Sequence, residues 1–356
     1  MEHNILNYLR ARIKYNYVSL KWGNCVMIKA GIVGLGWWGQ NLVSSVQGIS
    51  DSIIFTSGAV RHPEKVAEYA NNNNLELFDS FKAMLSDADI EAVVLATPHS
   101  VHADQMVAAA KAGKHIYSEK PFTMNRADAE RSIDAANKAG VKIVVGHNRR
   151  FHPVMGELRT RLKAGDLGTL LHVEATESVP AGMMLPSDNW RFDRSEWPAG
   201  GMTPMGIHLI DGMVDLFGTI SSVYCQSVNR VVEANIDDTT SVLLKFDNGM
   251  TGYIAVMVAA RQNLRFAIHG TQSSVFISPR SYNQMQVLPF EGEIENIDFG
   301  EFNIEGDALN LELEAFAAAI DEREPYPIPH SQIIHVVTVL EAIIKSSETN
   351  MPIGVN

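Results

Sequence analysis

Cysteine is almost absent from this sequence: Cys25 and Cys225 are the only two, and no C-x-x-C spacing occurs. Two cysteines far apart in the chain support neither a disulfide framework nor a thiolate zinc site. The sequence also lacks an uninterrupted apolar run of about 18 residues, the length that a membrane-spanning helix requires. These absences predict a soluble globular protein of a reducing compartment, and we expect it in the cytoplasm.

Positive charge is scarce relative to negative charge. The 356 residues include 41 Asp and Glu against 29 Lys and Arg, which gives a formal net charge of −12. Such a surface on average repels nucleic acid and anionic membranes. We therefore expect neither as a partner, and we expect any basic cluster to serve a local purpose.

A glycine-rich turn follows the first strand predicted from the sequence. The short apolar run Ala30–Val33 indicates a buried strand, and an amphipathic helix begins directly after the G-x-G-x-x-G pattern. In that pattern one glycine permits the turn, one lets a pyrophosphate approach the backbone, and one lets the helix pack closely on the strand. The residues predicted to bind a dinucleotide here are Gly34, Gly36, Trp37, Trp38 and Gly39.

The end of the second predicted strand, Ile53–Phe55, indicates which dinucleotide is bound. A carboxylate that reads the ribose hydroxyls of NAD is expected there, but the sequence has no carboxylate and has Arg61 instead. An arginine pairs well with the 2′-phosphate of NADP. We therefore expect NADP to be preferred over NAD, and an Arg61 that is simply solvated is the alternative.

Strands and helices alternate through the first part of the chain. The apolar strand that starts at Ala92 ends at Thr97-Pro98, and the strand that starts at His115 ends at Glu119-Lys120-Pro121. This alternation predicts a doubly wound parallel sheet, whose ligands bind beyond the carboxyl ends of the strands. The residues of this edge predicted to contact the cofactor are Ala96, Thr97, Pro98, His99, His102, Glu119, Lys120 and Pro121.

The second half of the chain has the pattern of an antiparallel sheet. Asp247-Asn248-Gly249 between two alternating segments is a strong hairpin signal. The strands predicted in this half are Leu170–Ala175, Ser222–Val231, Thr239–Phe246, Thr251–Met257, Leu264–His269 and Val275–Ile277. Helices are predicted at Pro63–Asn71 in the first half and at Leu309–Ile320 near the end. The fold class is therefore α/β, with a parallel sheet followed by an antiparallel one.

The length of the chain predicts two domains, because 356 residues are too many for one ordinary core. We place a Rossmann dinucleotide-binding domain at 27–148 and a substrate-binding and oligomerisation domain at 149–356, and we keep open that the last helix, 330–346, packs back on the first domain. Residues 1–26 lack a signal-peptide pattern. We interpret them as a dispensable extension, with a docked amphipathic helix as the alternative, and we expect a chain that begins at Met27 to fold and to bind cofactor.

The order and spacing of the motifs resemble the Gfo/Idh/MocA family of oxidoreductases, named for glucose-fructose oxidoreductase, inositol dehydrogenase and a rhizopine-catabolism protein. The matching segments are Gly34–Gly39, Ala96–His102, Ala112–Pro121, Gly146–Pro153, Gly165–Gly168, Trp190-Arg191, Gly200-Gly201 and His208–Asp211. The resemblance covers nearly everything after Met27. It implies a Rossmann domain, a C-terminal α/β domain with an open, mainly antiparallel sheet that often meets another subunit in a dimer or tetramer, and NAD(P)-dependent hydride transfer on a sugar, polyol or similar alcohol.

Hydride transfer needs a group that exchanges a proton with the alcohol oxygen, and Lys120 is our candidate. Burial beside a positive nicotinamide ring would disfavour the charge of this lysine. His208 is the second catalytic candidate, with a buried histidine satisfied by Asp211 as the alternative. In the family a carboxylate commonly precedes this histidine by four residues, where this sequence has Pro204, which can neither accept a proton nor form a side-chain hydrogen bond.

Basic side chains surround the predicted cleft: His147, Arg149, Arg150, His152, Arg191 and Arg194. Because arginine offers a bidentate fork, they could hold a substrate carboxylate, and salt bridges to Glu157 or Asp193 are the alternative. The residues predicted to contact the substrate are Asn148, Arg149, Arg150, Trp190, Arg191 and Asp211. No spacing of histidines is diagnostic of a metal site, and we expect none.

Two classes of function remain open. The first is an NAD(P)-dependent dehydrogenase or reductase of a small sugar, polyol or cyclic diol, with a dihydrodiol dehydrogenase or an aldose or anhydro-sugar reductase as variants. The second is a non-catalytic NADP-binding sensor or scaffold that has lost the carboxylate at position 204. Retention of Glu119-Lys120-Pro121 and His208 favours the enzyme.

Overall fold

The computed structural model describes residues 27–186, 189–277 and 282–355, so the predicted extension at 1–26 lies outside the described residues. The described chain divides into two compact units. The first comprises 27–151 and 303–334, and the second comprises 152–302 and 335–355. The segment 303–334 thus groups with the dinucleotide-binding part of the chain, whereas the sequence placed it in the second domain.

Six parallel strands form the sheet of the first unit, in the order β3-β2-β1-β4-β5-β6. The strands are β1 (Ile28–Val33), β2 (Ile53–Ala59), β3 (Glu76–Phe78), β4 (Ala92–Leu95), β5 (His115–Glu119) and β6 (Ile143–Gly146). The order reverses between β1 and β4, which is the switch point at which doubly wound sheets bind ligands. The predicted doubly wound parallel sheet is therefore confirmed.

The helices are, in chain order, α1 (Trp37–Val46), α2 (Ala67–Asn72), α3 (Phe81–Leu85), α4 (His102–Lys111), α5 (Arg126–Ala139), α6 (Pro153–Ala164), α7 (Ala181–Met184), α8 (Gly206–Phe217), α9 (Asp307–Ile320) and α10 (His330–Thr349). The helix predicted at Pro63–Asn71 is interrupted. A 3-10 turn at Pro63–Lys65 ends at Val66, whose φ of −123° and ψ of 4° lie outside the helical region, and α2 starts after it.

The core of the first unit joins parts of the chain that are far apart in sequence. Apolar side chains of β1, β2 and β4 pack against α1 and against α9. Helix α9, predicted from the sequence at Leu309–Ile320, contributes to this core, since Leu309, Leu313 and Phe316 have no exposed surface. The amide of Asn310 donates to the Ser45 carbonyl over 2.8 Å and so fixes α9 to the end of α1.

Nine strands form the sheet of the second unit, in the order β14-β13-β12-β11-β7-β10-β9-β8-β15. They are β7 (Leu170–Ser178), β8 (Ile220–Val228), β9 (Thr239–Phe246), β10 (Thr251–Met257), β11 (Asn263–Gly270), β12 (Ser273–Ile277), β13 (Gln284–Pro289), β14 (Glu295–Asp298) and β15 (Ile353–Gly354). Among the described strands of this sheet only β7 and β10 pair in parallel, so the predicted mainly antiparallel sheet is confirmed.

The predicted strand Ser222–Val231 is three residues too long, because β8 ends at Val228. The Asp238 carboxylate accepts the backbone N–H groups of Arg230, Val231 and Val232 over 2.7 to 3.1 Å. These amides are therefore held by a side chain and not by a neighbouring strand. Burial raises the pKa of Asp238, but these hydrogen bonds outweigh it and the pKa lies below its usual value.

The helices of the described residues include none that is both long and apolar enough to cross a membrane.

Candidate active site

The glycine turn between β1 and α1 is built by close contacts of the backbone. Gly34 has a φ of +94°, and a Cβ atom there would lie 2.5 Å from the Ala96 carbonyl oxygen. A Cβ atom on Gly39 would lie 1.9 Å from the Gly34 carbonyl oxygen. Both positions therefore exclude every side chain, and the two glycines do what the motif assigns to the turn and to helix packing.

Gly36 differs from its two partners, because a Cβ atom there would meet nothing within 4 Å. It is the N-cap residue of α1, whose first turn contains no acidic residue. The start of α1 thus offers backbone N–H groups and the positive end of the helix dipole beside open space. This arrangement fits the diphosphate of a dinucleotide, which the first turn of α1 would hold.

The carboxyl ends of the central strands lie in register. Val33 pairs with Leu95, Leu95 pairs with Ser118, and Glu119 pairs with Gly146. The residues that follow these strands therefore share one edge of the sheet. Gly34, Thr97 and Lys120 lie on this edge, as the sequence predicted.

Arg61 lies two residues beyond the end of β2, next to the glycine turn. The Gly34 N–H donates to the Ala59 carbonyl over 3.0 Å, which ties the end of β2 to that turn. Arg61 is exposed, and no carboxylate of the described residues pairs with it. The nearest acidic residue in the sequence, Glu64, instead lies 3.3 Å from His62. The side chain of Arg61 is therefore available to an anionic ligand.

Lys120 is partly buried directly after β5, and its peptide bond to Pro121 is cis. Its backbone N–H donates to Glu119 Oε2 over 3.2 Å. Glu119 itself is buried, with 5% of its surface exposed. The carboxyl group of Glu119 thus holds the backbone of Lys120 at the edge of the sheet.

His102 ties two loops of this edge together. Its Nδ1 atom lies 2.9 Å from the Pro121 carbonyl oxygen, and its Nε2 atom lies 3.0 Å from the Thr97 carbonyl oxygen. The ring is fully buried, with His99 at a centroid distance of 6.0 Å. The histidine thus connects the loop after β4 to the loop after β5, and its predicted contact with the cofactor stays a prediction.

A buried polar cluster behind Lys120 was not predicted from the sequence. The Tyr117 hydroxyl lies 2.7 Å from Glu312 Oε2 and 3.2 Å from Glu119 Oε1. The Tyr326 hydroxyl lies 3.2 Å from Glu312 Oε1 and 2.8 Å from the Val145 carbonyl oxygen. No sequence signal could have found this cluster, because Tyr117 and Glu312 are 195 positions apart.

Burial dominates the titration of this cluster. It raises the pKa of Tyr117 well above its usual value, and the nearby carboxyl groups of Glu312 and Glu119 act in the same direction. Burial also raises the pKa of Glu119, although the charge of Lys120 and the polar groups of Trp38, Lys120 and Tyr117 oppose it.

Asn148 and Arg150, which follow β6, contact other residues of the first unit. Asn148 and Arg150 are buried, with 2% and 3% of their surface exposed. The Asn148 amide donates to the Ile304 carbonyl over 3.0 Å, and Arg150 donates to the Gln332 side chain over 2.6 Å. Arg149, between them, is partly buried. The predicted contacts of these three residues with a substrate stay predictions.

In the second unit, the arginines of the segment 190–194 have different partners. Arg194 pairs with the buried Asp237 over 3.1 Å. The Arg191 guanidinium lies 4.5 Å from the ring centroid of Trp190, and no carboxylate of the described residues pairs with it. Burial alone lowers the pKa of Arg191. Asp193, an alternative partner, instead accepts from Ser195 over 2.7 Å.

His152 is a buried residue of the second unit with hydrogen bonds on both ring nitrogens. Its Nδ1 atom accepts the Val154 N–H over 3.2 Å and caps α6, and its Nε2 atom lies 2.9 Å from Asn283 Oδ1. Three aromatic rings surround it, with Phe302 at a centroid distance of 4.7 Å. Burial lowers the pKa of His152 to about 4, so its imidazole is neutral at pH 7.

His208 lies in the first turn of α8 and is buried, with 7% of its surface exposed. Asp211 follows it on the same face of the helix and is also buried, at 2%. Thr203, the hydroxyl nearest in sequence to Pro204, donates to the Pro198 carbonyl over 2.5 Å. The Thr203 hydroxyl therefore does not replace the carboxylate that is missing at position 204. Asp211 lies one helical turn after His208.

The residues that the structure describes contain no group of three or more His, Cys, Asp or Glu side chains that could hold a metal ion.

Two family models match this sequence. The model described as "Oxidoreductase family, NAD-binding Rossmann fold" matches residues 28–147. The model described as "GFO/IDH/MocA C-terminal domain" matches residues 155–276. Together the two matches span more than half of the chain.

Individual proteins are similar over most of their length. An uncharacterized oxidoreductase of Bacillus subtilis (strain 168), YrbE, is 26% identical over 92% of this chain and 96% of that protein. The myo-inositol 2-dehydrogenase of Thermotoga maritima is 28% identical over 68% of this chain and 70% of that protein. Among solved structures, levoglucosan dehydrogenase in complex with NADH and levoglucosan has a TM-score of 0.83 at 21% identity, with 93% of this chain and 100% of that chain covered. The likeness to that structure shows the fold.

The matches agree with the motifs in order and in extent. They confirm the predicted class of enzyme, an NAD(P)-dependent dehydrogenase or reductase acting on CH–OH groups. The glycine turn, the sheet edge that carries Lys120 and both family models lead to the same conclusion: the chain belongs to the Gfo/Idh/MocA family of oxidoreductases.

Proposed function

We propose that this protein transfers a hydride between the nicotinamide of NADP and a hydroxyl-bearing or carbonyl carbon of a small sugar, polyol or cyclic diol, with Lys120 as the acid–base group. The position of Lys120 carries the proposal. It follows β5 on the same sheet edge as the glycine turn, next to the switch point between β1 and β4. A ligand held at that turn extends along this edge.

In the proposed reaction, the bound dinucleotide supplies the site that accepts or gives the hydride. When an alcohol is oxidised, its carbon loses a hydride and its oxygen loses a proton, and the Lys120 amine takes that proton. In the reverse direction the Lys120 ammonium donates it to the forming alkoxide. His208 is the second proposed member of the proton pathway, and Trp190, Arg191 and Asp211 are proposed substrate contacts.

The substrate class is supported by the relatives. A myo-inositol 2-dehydrogenase and a levoglucosan dehydrogenase are both named for ring compounds that carry several hydroxyl groups. We therefore place polyols, sugars and anhydro-sugars first among substrates and cyclic diols second. Purified protein should be screened with NADP and NAD against inositols, aldoses, levoglucosan, uronates and cyclic diols, with the reduced-nicotinamide absorbance as readout.

The variant Lys120→Met separates binding from chemistry. It keeps most of the apolar stem but removes the titrating nitrogen, so we expect NADP to bind as before while kcat falls by about 10²–10⁴-fold. His208→Asn should cost nearly as much, and the double variant should be little worse than either, because two members of one proton pathway do not add. A folded Lys120→Met protein with wild-type turnover would contradict the proposed role.

Pro204 favours a second candidate function, because the position of the family carboxylate is apolar here. A sensor or scaffold would bind NADP without turning over any substrate. Micromolar NADP binding together with failure of the whole substrate screen would favour this second function.

We propose further that the protein is a homo-oligomer through the open face of its nine-stranded sheet and that it acts in the cytoplasm. On that face Leu243 is 56% exposed and pairs in register with Tyr253 on one side and Tyr224 on the other. Leu243→Asp should reduce the mass measured by light scattering to that of a monomer. Val231→Asp, at a residue 62% exposed outside the strands, is the control and should leave the mass unchanged. The cysteine content supports the location, which cell fractionation would test.

A further inference from the structure

The turn before α8, in the second unit, contains two consecutive residues in the left-handed backbone region. Ala199 has a φ of +53° and a ψ of +33°, and Gly200 has a φ of +55°. Glycine adopts this conformation readily, whereas alanine is strained in it because its Cβ atom crowds the following carbonyl oxygen. Ala199 is also buried, with 3% of its surface exposed. The other described non-glycine residues with a positive φ, which are all exposed, are Asn74, Glu322 and Asn350.

The start of β9 holds this strained turn. The Thr240 hydroxyl, which has no exposed surface, donates to the Ala199 carbonyl over 3.0 Å. The same carbonyl accepts the Met202 N–H over 3.1 Å. A Cβ atom at Gly200 would overlap with the Asp237 carbonyl oxygen, so the turn lies directly against the residues that precede β9. Strained backbone persists only where its surroundings hold it, and Thr240 is one such contact.

The Thr240 hydroxyl has a second polar neighbour. Ser227 Oγ lies 2.8 Å from Thr240 Oγ1, and it donates to Asp237 Oδ2 over 2.8 Å. A hydroxyl has one proton to donate, and a carbonyl oxygen can only accept. The contact with Ala199 therefore requires the Thr240 proton, whereas a contact between two hydroxyl groups can use the proton of either one.

Backbone hydrogen bonds connect the turn to His208. The 3-10 turn Gly200–Met202 follows Ala199 directly. The Met205 N–H donates to the Gly201 carbonyl over 3.0 Å, and the His208 N–H donates to the Met205 carbonyl over 3.0 Å. A change of the backbone at Ala199 would therefore move the first turn of α8, in which His208 lies.

We propose, on the basis of the role proposed for His208, that Thr240 is a positioning residue of the reaction. Its hydroxyl holds Ala199 in the left-handed conformation and thereby sets the place of His208. Thr240 acts through the backbone of the turn, because its hydroxyl donates to a backbone carbonyl. The proline at position 204 has no polar side-chain atom that could orient His208, so we expect the backbone to have a large part in placing it.

Thr240→Val tests the proposal, because valine has nearly the same shape as threonine but no hydroxyl group. Without the hydrogen bond Ala199 can relax and displace the start of α8, so kcat on the best substrate of the screen should fall by about 10- to 100-fold. KM and the affinity for NADP should stay within about twofold of the wild type. Thr240→Ser restores a hydroxyl group and should recover most of kcat. Wild-type kcat in a folded Thr240→Val protein would overturn the proposal.

A substitution at the strained residue separates positioning from stability. Glycine adopts the left-handed conformation without strain, so Ala199→Gly should remove the tendency of the turn to relax. The double variant Thr240→Val/Ala199→Gly should therefore regain most of kcat, although it still lacks the hydrogen bond. A role in stability alone would lower the midpoint of urea unfolding in Thr240→Val and leave kcat unchanged, and failure of the double variant to recover would also refute the proposal.

Ser227→Ala is the matched control. It removes the other neighbour of the Thr240 hydroxyl and leaves the contact with Ala199 in place. We expect wild-type kcat in this variant. A loss as large as that of Thr240→Val would show that Thr240 acts through Ser227 and not through the strained turn.

NMR of the full chain with isotope-labelled histidine needs no substrate. The ring Cε1–H signal of His208 is identified as the one that is lost in His208→Asn. It should move in Thr240→Val and return to its wild-type position in the double variant. The two proposals fail separately. A signal that moves while His208→Asn keeps full turnover would refute only the catalytic role of His208, and a signal that stays while His208→Asn is inactive would refute only the role of Thr240.

Discussion

The glycine turn and the basic cluster were both predicted as binding sites, and the structure uses them differently. In the turn, Gly34 and Gly39 approach backbone atoms so closely that no side chain fits, and Gly36 faces open space. In the cluster, Arg150 bonds Gln332, Arg194 pairs with Asp237 and His152 caps a helix. A glycine pattern therefore specifies its site by local geometry, whereas the partners of charged residues come from distant parts of the chain.

The two regions also differ in what their loss would affect. The glycine turn contributes backbone N–H donors, so a substitution that distorts it should weaken the binding of the cofactor. Arg150, His152 and Arg194 contact residues of their own unit, so the loss of these contacts should lower stability. Arg191 is the exception, because among the described residues it has an aromatic ring as its only side-chain partner. Substitutions in both regions would test this difference.

Gly39→Ala is expected to have the largest effect. Its Cβ atom would lie 1.9 Å from a backbone oxygen, so the turn must move, at a cost of about 3 kcal/mol in the free energy of unfolding. NADP affinity should fall by at least about 100-fold. Gly36→Ala is the matched control: its Cβ atom meets no protein atom, so it should keep its stability in urea unfolding but weaken NADP binding. Equal stability of the two variants would contradict this division of roles.

His152 should make the protein less stable in acid. Its pKa is lowered to about 4 in the folded protein from 6.5, so the unfolded chain binds the proton first as the pH falls. Stability is full above about pH 6.5 and declines as the pH falls towards 4, by about 3 kcal/mol.

Urea unfolding at pH 7 and pH 4 would measure this decline. In His152→Asn, which keeps a capping side chain but cannot titrate, the decline should be smaller by that amount. The exposed His62 offers the control, and His62→Asn should decline as the wild type does. An equal decline in all three proteins would show that His152 is not the titrating group.

Arg61→Ala tests the choice of cofactor. A charge-assisted bond to the 2′-phosphate contributes about 1.5–3 kcal/mol, which is roughly a tenfold to hundredfold change in affinity. We expect NADP to bind more tightly than NAD in the wild type, and the variant to lose affinity for NADP alone. Fluorescence titration with both nucleotides would measure this, and identical wild-type curves for NADP and NAD would refute the preference.

The smallest effects should separate Arg191 from Arg194. Arg194→Gln leaves the buried Asp237 without its cation and should cost about 1 kcal/mol of stability with KM unchanged. Arg191→Gln loses a cation–π contact of about 0.5 kcal/mol, but it should raise KM for the best substrate if that substrate bears a carboxylate. Unfolding curves and KM values for a uronate and for its neutral sugar would decide between them.

Local patterns predicted the elements that local forces determine. The glycine turn, the strand that starts at Ala92 and the Asn248-Gly249 hairpin were each predicted from a few neighbouring residues and are present, although that strand ends at Leu95 and not at Thr97-Pro98. Element ends were predicted less well: the Asp238 carboxylate, six to eight residues further along the chain, accepts the amides of 230–232, and β8 ends early. Helix α9 could be predicted as an amphipathic helix, but its packing on α1 in the first unit could not.

The α/β class, the parallel sheet with its binding edge, the family motifs and the candidate Lys120 could be predicted from the amino-acid sequence, because backbone conformation and hydrophobic periodicity depend on near neighbours. Which polar side chains contact one another depends on the tertiary structure. It brought Tyr117, Glu119, Glu312 and Tyr326 together in the interior and assigned His152 to a helix cap. Burial and proximity across about 200 residues set the charge of such groups, and neither is encoded in any local pattern.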